Sequence, residues 1–460
     1  MTRHGMMFAA ASAALMICTG ATAASAAAQP ELARRAALGV AVETGGGGAR
    51  VLSVAPGSTA ARAGLQPGDV VTGLNGATVG DNQALVAQAG KLRAGQPVDI
   101  AWLRAGVPAR GSAAAVARPQ ETYQGATARY GAVPFRGGLL RDILVTPAAA
   151  KGDGPVVFLI QGYYCATMEG STPDHPYRAL IQGLADRGIA TYRVEKPGMG
   201  DSQGGPACLQ SDFATELDAF RAGLATLTRD YGVDPGRVVL LGHSMGGLEA
   251  PLLAAEGDPV RGVAVYGTVL RNWRDYMQDI FRVQGFYSSG ADPVELATLG
   301  EAMRPLLDRI FNETVSLRQI AADSPQQAQL LREALEWDGD DQILGRSAAY
   351  WRQIAAQPLT AAWRDSRAPV LAVYGEADFA AIDDRDHRLI ADVVNHYRPG
   401  TGRFVMLAGT GHGFGLDGTR EGAREATRAA GGALPPQPYN PELTRVLADW
   451  IDGLSAPTEG

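Results

Sequence analysis

The ten residues from 238 to 247 read VVLLGHSMGG. The apolar run at their start predicts a buried strand, and the residues that follow predict an apolar helix. Between the two lies the pattern Gly-x-Ser-x-Gly, a sharp turn that holds Ser244 in a strained backbone conformation at the end of a strand. Gly242 and Gly246 must be small because the chain folds back against itself there. The stretch therefore predicts a strand–turn–helix unit that presents the hydroxyl of Ser244 as a nucleophile.

The helix after this turn is expected to assist electrostatically. Its N-terminus points at Ser244, where the backbone N–H of Met245 can stabilise negative charge on a reacting oxygen. A dinucleotide-binding loop is excluded, because that motif requires glycine at position 244.

A base for the serine is expected after a late strand. His412 lies in a glycine-rich stretch, residues 408–413, directly after the predicted strand Phe404–Leu407. No pair of histidines has metal-ligand spacing, so no metal site is predicted. The other histidines of the folded part are predicted in structural or surface places: His243 beneath the turn, His175 at the start of a helix, and His387 and His396 on a surface helix.

The acid that orients the base is expected at the end of the preceding strand. Asp378 follows the predicted strand Val370–Tyr374 and precedes His412, so the chain order is serine, aspartate, histidine. This order differs from the orders in chymotrypsin and subtilisin. Competing carboxylates are close by: Glu376, Asp383, Asp384 and Asp386.

From Pro155 onward, apolar strands alternate with amphipathic helices, which predicts an α/β fold with a mostly parallel sheet covered on both faces. A β-hairpin is predicted before it, over residues 126–146. Residues 267–366 interrupt the alternation with a helical, aromatic-rich insert. The predicted strands are Val156–Gln161, Ile189–Val194, Val238–Gly242, Gly262–Tyr266, Val370–Tyr374 and Phe404–Leu407, and the helices lie near 174–187, 211–231, 245–255, 385–397 and 441–453.

Residues 126–455 as a whole resemble an α/β-hydrolase. The loop KPGMGDS, residues 196–202, resembles the R-G-x-G-x-S segment of prolyl-oligopeptidase-like and serine-aminopeptidase-like hydrolases. The resemblance implies Ser244 as nucleophile, His412 as base and Asp378 as acid, since the family's G-x-x-D spacing favours Asp378. It implies acyl transfer through an acyl-enzyme and no cofactor.

The same resemblance implies two further features. A second oxyanion donor is expected after the first parallel strand, where this chain has Gln161-Gly162-Tyr163; the donor is a backbone N–H, and Tyr163 is the expected residue beside Met245. The insert 267–366 is expected to cap the active site, with aromatic residues such as Trp273 and Tyr287 lining an acyl pocket. A bundle that packs away from the pocket is the alternative.

Residues 38–117 predict a separate, β-rich unit. The run SVAPGSTAARAGLQPGDVVTGLNG, residues 53–76, resembles the PDZ domains of bacterial exported proteases. The resemblance implies that backbone N–H groups at Leu38, Gly39 and Val40 receive a peptide C-terminus while the peptide adds a strand to the sheet edge. Alternatively, the unit packs against the hydrolase and only stabilises it.

Residues 1–28 predict a secretory signal peptide. Arg3 precedes an apolar run, and small residues end in Ala26-Ala27-Ala28, an A-x-A-type cleavage site. A buried N-terminal helix and a lipoprotein anchor at Cys18 are the alternatives. The mature product is therefore expected in the periplasm or outside the cell.

Two cysteines remain after such cleavage, Cys165 and Cys208. Disulfides persist in exported proteins, and the resemblance makes the two loops neighbours at one sheet edge, so a bridge is predicted. Two unconnected buried thiols are the alternative.

Composition narrows the possible partners. Hydrophobic residues make up 46% of the chain and the formal net charge is -7. No cluster of Lys and Arg could neutralise a phosphate backbone, so no nucleic-acid partner is predicted. No apolar run beyond the N-terminus reaches the roughly 18 residues needed to span a bilayer, so no membrane span is predicted.

These features predict an exported serine hydrolase that cleaves carboxylic ester bonds. A peptidase of the same fold is the alternative within the class, and a PDZ-based binding scaffold on an inactive hydrolase fold is the alternative outside it. The expected partners are a small-molecule ester or peptide and a peptide C-terminus at the PDZ unit.

Overall fold

The structure is a computed structural model that describes residues 32–150, 152–169, 172–286, 291–313, 315–432 and 434–454. The predicted signal peptide, residues 1–28, and Tyr287 lie outside the described residues.

The N-terminal unit is a small sheet with two short helices, α1 (Thr59–Ala63) and α2 (Asn82–Ala89). The sheet has six strands: five lie in the order β2-β3-β4-β6-β7, with β2 at an open edge, and β5 pairs with β4. The separate pair β1 and β8 joins the beginning and the end of the unit. The strands are β1 (Ala36–Ala37), β2 (Val40–Gly45), β3 (Gly48–Val54), β4 (Val70–Leu74), β5 (Ala77–Thr78), β6 (Pro97–Arg104), β7 (Val107–Ala114) and β8 (Val116–Ala117).

The larger unit is built on an eight-stranded sheet, ordered β18-β17-β14-β13-β11-β12-β10-β9. The hairpin of β9 and β10 pairs antiparallel with β12, and the remaining strands are parallel. This confirms the predicted α/β architecture. The strands are β9 (Ala126–Phe135), β10 (Gly138–Pro147), β11 (Val156–Ile160), β12 (Ala190–Val194), β13 (Val238–His243), β14 (Gly262–Tyr266), β17 (Val370–Gly375) and β18 (Gly402–Leu407).

Helices cover both faces of this sheet, because its strands are apolar on both sides. One face packs against α4, α5 and α12, and the other against α3 and α14. The helix α13, which the sequence patterns did not predict, follows the loop that carries His412. The helices are α3 (Pro176–Asp186), α4 (Phe213–Arg229), α5 (Gly246–Glu256), α12 (Arg385–Tyr397), α13 (Arg420–Ala429) and α14 (Pro441–Asp452).

The insert between β14 and β17 is helical, as predicted, and also contains a small hairpin. Its apolar residues continue the core that α4 and α5 form, and Trp273, Trp351 and Trp363 are buried there. Its elements are α6 (Trp273–Asp279), a π-turn (Ile280–Gln284), α7 (Pro293–Asn312), α8 (Leu317–Asp323), α9 (Pro325–Ala334), β15 (Gln342–Ile343), β16 (Arg346–Ser347), α10 (Ala348–Ala355) and α11 (Leu359–Asp365).

A buried arginine joins the two units. The guanidinium of Arg34, just before β1, donates to Glu169 at 2.8 Å and to Asp201 at 2.7 Å. It also donates to the backbone carbonyls of Arg118 and Pro119, where the chain leaves the N-terminal unit. One side chain therefore ties both ends of that unit to two loops of the larger one.

Candidate active site

The turn after β13 has the strained geometry that its sequence predicts. Ser244 has φ +56°, a left-handed conformation that a non-glycine residue rarely adopts. A Cβ on Gly242 would lie 2.3 Å from the carbonyl oxygen of Gly246, and a Cβ on Gly246 would lie 2.2 Å from that of Ile160. Both glycines are therefore required for the chain to reverse, and the turn carries Ser244 to the end of the sheet.

His412 and Asp378 meet at the same end of the sheet. Nδ1 of His412 lies 2.9 Å from both carboxylate oxygens of Asp378. Because a carboxylate only accepts, Nδ1 carries the proton and Nε2 of the neutral ring is unprotonated. The N–H of Ala381 donates to Asp378 at 2.9 Å and fixes the carboxylate.

The two groups shift each other's proton affinity. Burial opposes a charge on His412, but the attraction and hydrogen bond of Asp378 outweigh it and raise the pKa of His412 above its usual value. Burial also opposes ionisation of Asp378, and the pairing with His412 overcomes this and lowers the pKa of Asp378. The pair therefore favours an aspartate that stays ionised while the histidine gains and loses a proton.

The competing carboxylates are engaged elsewhere. Glu376 accepts the N–H of Gly409 at 2.8 Å. The remaining three form ion pairs with arginines: Asp383 with Arg271 and Arg385, Asp384 with Arg388, and Asp386 with Arg271.

Two other histidines lie closer to the site than expected. His243 was predicted beneath the turn, but it lines the cavity beside His412, where its Nε2 donates to the carbonyl of His412 at 2.9 Å. Burial lowers the pKa of His243 to about 3, so the ring is neutral. His387 was predicted on a surface helix, yet it is fully buried and accepts the N–H of Thr268. The prediction was wrong because α12 turns this side chain inward, a choice that helical periodicity alone left open.

The loop after β11 lies directly against the serine. A Cβ on Gly162 would lie 2.7 Å from Cβ of Ser244. Among the described residues, no hydrogen bond takes up the backbone N–H of Tyr163 or of Met245, so both donors are free. The aromatic ring of Tyr163 stacks on Trp351 of the insert, and its hydroxyl donates to the carbonyl of Leu344.

The same loop carries a disulfide. The structure joins Cys165 to Cys208, with Cα atoms 5.6 Å apart. Cys208 lies in the chain that follows the KPGMGDS loop, so the bridge ties the loop after β11, which contacts Ser244, to the segment that precedes α4.

A cavity of about 300 Å³ opens at Ser244 and His412. Its wall is mostly apolar and aromatic, with Tyr163, Tyr164, Tyr177 and Phe414 among the lining residues. In the part of the chain that the structure describes, no lining residue belongs to the insert 267–366. Trp273, expected in the pocket wall, stacks instead on Trp351 in the core. The insert contacts the site through Tyr163, whose ring packs on Trp351 and whose hydroxyl binds Leu344.

Sequence reasoning missed several residues around the site. Tyr177 lines the cavity and its hydroxyl is 2.7 Å from Nδ1 of His243. Lys196 and Arg346 bind backbone carbonyls of the loop that follows β11. Lys196 is the first residue of the KPGMGDS motif, so the motif could have indicated it as a residue near the site. Arg346 lies in the insert, where no sequence pattern indicated a site residue.

The chain belongs to the alpha/beta hydrolase family, whose model matches residues 162–425, and a PDZ domain model matches residues 36–110. This confirms both resemblances found in the sequence.

Relatives with known names match parts of the chain. The periplasmic serine endoprotease DegP of Salmonella typhimurium is 44% identical over 59 residues, which are 13% of this chain and 12% of that protein's length. Two solved structures are similar in fold to part of this chain. Est1E from Butyrivibrio proteoclasticus is 18% identical, covers 67% of this chain and 97% of its own, with a TM-score of 0.39. A proline iminopeptidase of Mycobacterium smegmatis is 17% identical, covers 71% and 98%, with a TM-score of 0.43.

The described residues contain neither a candidate membrane span nor a candidate metal site. Within them, no helix combines the length and apolar character needed to cross a bilayer. In the same residues, no group of three or more His, Cys, Asp or Glu side chains is arranged to hold a metal ion.

Proposed function

We propose that the protein is a serine hydrolase that cleaves carboxylic esters. The observation that carries the proposal is the pair formed by the buried Asp378 and the partly exposed His412, which lines the same cavity as Ser244. His412 removes the proton of Ser244, the serine oxygen attacks the ester carbonyl, and the alcohol leaves with the proton from His412. Water then attacks the acyl-enzyme, with His412 as base. The N–H groups of Met245 and Tyr163 bind the oxyanion, worth roughly 3 kcal/mol each.

The cavity wall favours an ester over an aminopeptidase substrate. An aminopeptidase must receive the charged α-amino group of its substrate, which calls for a carboxylate in the pocket. No Asp, Glu, Lys or Arg is found among the described residues that line this cavity. A neutral, aromatic wall suits an uncharged acyl or alkoxyl group.

The test has two arms. A fluorophosphonate probe should label the wild type at Ser244 and fail to label Ser244→Ala, whose hydrolysis of p-nitrophenyl esters should fall by at least about 10³-fold. Aminoacyl-p-nitroanilides should be cleaved far more slowly than esters. Preferred cleavage of the anilides would reassign the protein as a peptidase. A wild type that the probe does not label would exclude hydrolysis through Ser244 and favour a PDZ-based binding scaffold on an inactive hydrolase fold.

We also propose the extents and setting of the units: a signal peptide at 1–28, a PDZ domain at 38–117, and a hydrolase domain at 126–455 whose insert spans 267–366. Export to the periplasm is supported by the Cys165–Cys208 disulfide and by the partial similarity to a periplasmic protease. N-terminal sequencing of the exported protein checks the cleavage site.

A second function is proposed for the PDZ domain, the capture of a peptide C-terminus. Strand β2 is an open edge, and the loop before it is held by hydrogen bonds from Ala60 to the carbonyl of Leu38 and from Ala55 to that of Gly39. Gly39 has φ +78°, and a Cβ there would lie 2.2 Å from Cβ of Ser58, so the loop requires glycine. The N–H groups of Leu38, Gly39 and Val40 then receive the carboxylate.

Titration of peptides into the full chain tests this function. Peptides with a free carboxylate should bind with roughly micromolar affinity, and the amidated peptides much more weakly, because amidation removes the charge. Equal binding of the two forms would leave the domain a stabilising role only.

A further inference from the structure

Four charged or ionisable side chains lie buried behind the loop that follows β11. Lys196, Glu216 and Arg346 are at most 1% exposed, and Glu249 of α5 is buried beside them. The mechanism above uses none of them. Burying charges is costly unless ion pairs and hydrogen bonds of good geometry offset the lost hydration, so the partners of these side chains need an account.

The two cations bind consecutive carbonyls of one loop. Nζ of Lys196 donates to the carbonyl oxygen of Gly162 at 2.7 Å and to Glu216 at 2.7 Å. The guanidinium of Arg346 donates to the carbonyl oxygen of Tyr163 at 3.0 Å and pairs with Glu216 at 2.7 Å. The peptide groups on both sides of the Tyr163 α-carbon are therefore held by buried cations.

The planar geometry of a peptide group links the bond between Lys196 and the carbonyl of Gly162 to the N–H of Tyr163. The carbonyl of Gly162 and the N–H of Tyr163 belong to one planar trans unit, so they point in opposite directions. A cation on the oxygen fixes the plane and draws electrons from the nitrogen, which strengthens the N–H as a donor. Gly162 itself lies against Ser244, with a hypothetical Cβ 3.2 Å from Oγ.

We propose that Lys196 is a positioning residue of the oxyanion hole: by binding the carbonyl of Gly162, it directs and polarises the N–H of Tyr163 toward the reacting carbonyl at Ser244. Arg346, from the insert, holds the next peptide group through the carbonyl of Tyr163 and so helps to fix the same loop. This inference rests on the proposed serine hydrolase function.

The charge balance of the cluster supports the same role. Two cations share one paired carboxylate, Glu216. Neither carboxyl oxygen of Glu249 accepts a hydrogen bond from a described residue, and burial raises the pKa of Glu249 well above its usual value, which favours its neutral form. A net positive charge then lies behind the loop, where it stabilises an oxyanion on the other side.

The experiment compares Lys196→Met with the wild type, per active site titrated with a fluorophosphonate. We expect kcat for a p-nitrophenyl ester to fall about 10- to 100-fold while KM changes less than about twofold. The Ki of an alkylboronic acid, which forms an anionic tetrahedral adduct on serine, should rise by the same factor. Lys196→Arg should recover most of the loss, because a guanidinium can reach the same carbonyl.

Two further variants separate positioning from stability. Arg193→Met breaks another buried ion pair, with Glu121, on the strand that leads to Lys196, and should lower stability without changing kcat or Ki per titrated site. If Lys196→Met does not fold, Lys196→Gln takes its place, because an amide removes the cation at the carbonyl of Gly162 and can still donate a hydrogen bond to the buried Glu216. Unchanged kcat and Ki, or an equal loss in Arg193→Met, would overturn the inference alone. A wild type that neither labels nor turns over would overturn the proposed function and this inference with it.

Discussion

At the residue scale, Asp378 orients His412, because its two carboxylate oxygens accept the hydrogen bond of the Nδ1–H group. Asp378→Asn replaces one carboxylate oxygen by an NH2 group, which donates instead of accepting and so favours the wrong imidazole tautomer of His412. We therefore expect kcat to fall about 10⁴-fold. Asp383→Asn, a change of the same kind at an arginine-paired carboxylate nearby, should leave kcat close to that of the wild type. Steady-state kinetics on one ester compares the two. A large loss in Asp383→Asn with little in Asp378→Asn would transfer the acid role.

Asp417 is a second carboxylate near the same histidine. It packs against Gly411, where a Cβ would lie 1.7 Å from its Oδ2. Burial and repulsion from Asp378 raise the pKa of Asp417 to about 6, so it is ionised at neutral pH and helps to raise the pKa of His412.

This arrangement predicts a shift in the pH profile. His412 must be neutral to accept a proton, so activity is lost as pH falls through its pKa. Asp417→Asn removes a negative charge and should move the acidic limb of kcat/KM to lower pH. Profiles measured from about pH 5 to 9 check this, with Glu421→Gln, an exposed neighbour on α13, as control. A limb that stays in place or moves upward would contradict the role of Asp417.

At the scale of elements, the disulfide joins the loop after β11 to the chain that precedes α4. It closes 43 residues, and its removal should lower the free energy of unfolding by about 3–4 kcal/mol. Urea denaturation of the wild type and of Cys165→Ala/Cys208→Ala measures the difference. Mass spectrometry of unreduced peptides provides the control: two free thiols in the wild type would remove the basis of this prediction.

At the scale of the whole molecule, Arg34 determines how the PDZ domain is attached. Its side chain is 12% exposed. It binds Glu169 and Asp201 of the larger unit and also the backbone carbonyls of Arg118 and Pro119, where the chain leaves the N-terminal unit. Arg34→Ala leaves buried carboxylates with fewer partners, a change that typically costs about 3–5 kcal/mol. Chymotrypsin should therefore cleave after Tyr123, in the segment that joins the two units, much faster in Arg34→Ala. Arg50→Ala, on an exposed position of β3, serves as control, and equal cleavage rates would show that the clamp does not hold the units together.

The sequence by itself determined the parallel strands of the larger sheet and the chain order of the candidate site residues. The strand–turn–helix around Ser244 has only one backbone solution, because Gly242 and Gly246 have no room for a Cβ and Ser244 must take a positive φ. The strands that carry Asp378 and His412 were equally readable, since buried parallel strands are continuous apolar runs that end in glycine-rich loops. These constraints act between residues close together in the chain, so the sequence of one segment is enough to predict them.

Only the tertiary structure decided what surrounds the serine. The insert supplies Arg346, Leu344 and Trp351 as contacts of Tyr163 in the loop that follows β11, and none of the three lines the cavity. His387 is buried although its helix resembles a surface helix. Such contacts join residues far apart in the chain, and their partners are selected by packing and by the pairing of buried charges. Neither depends on the spacing of residues along the sequence, so no pattern within one segment could have revealed them.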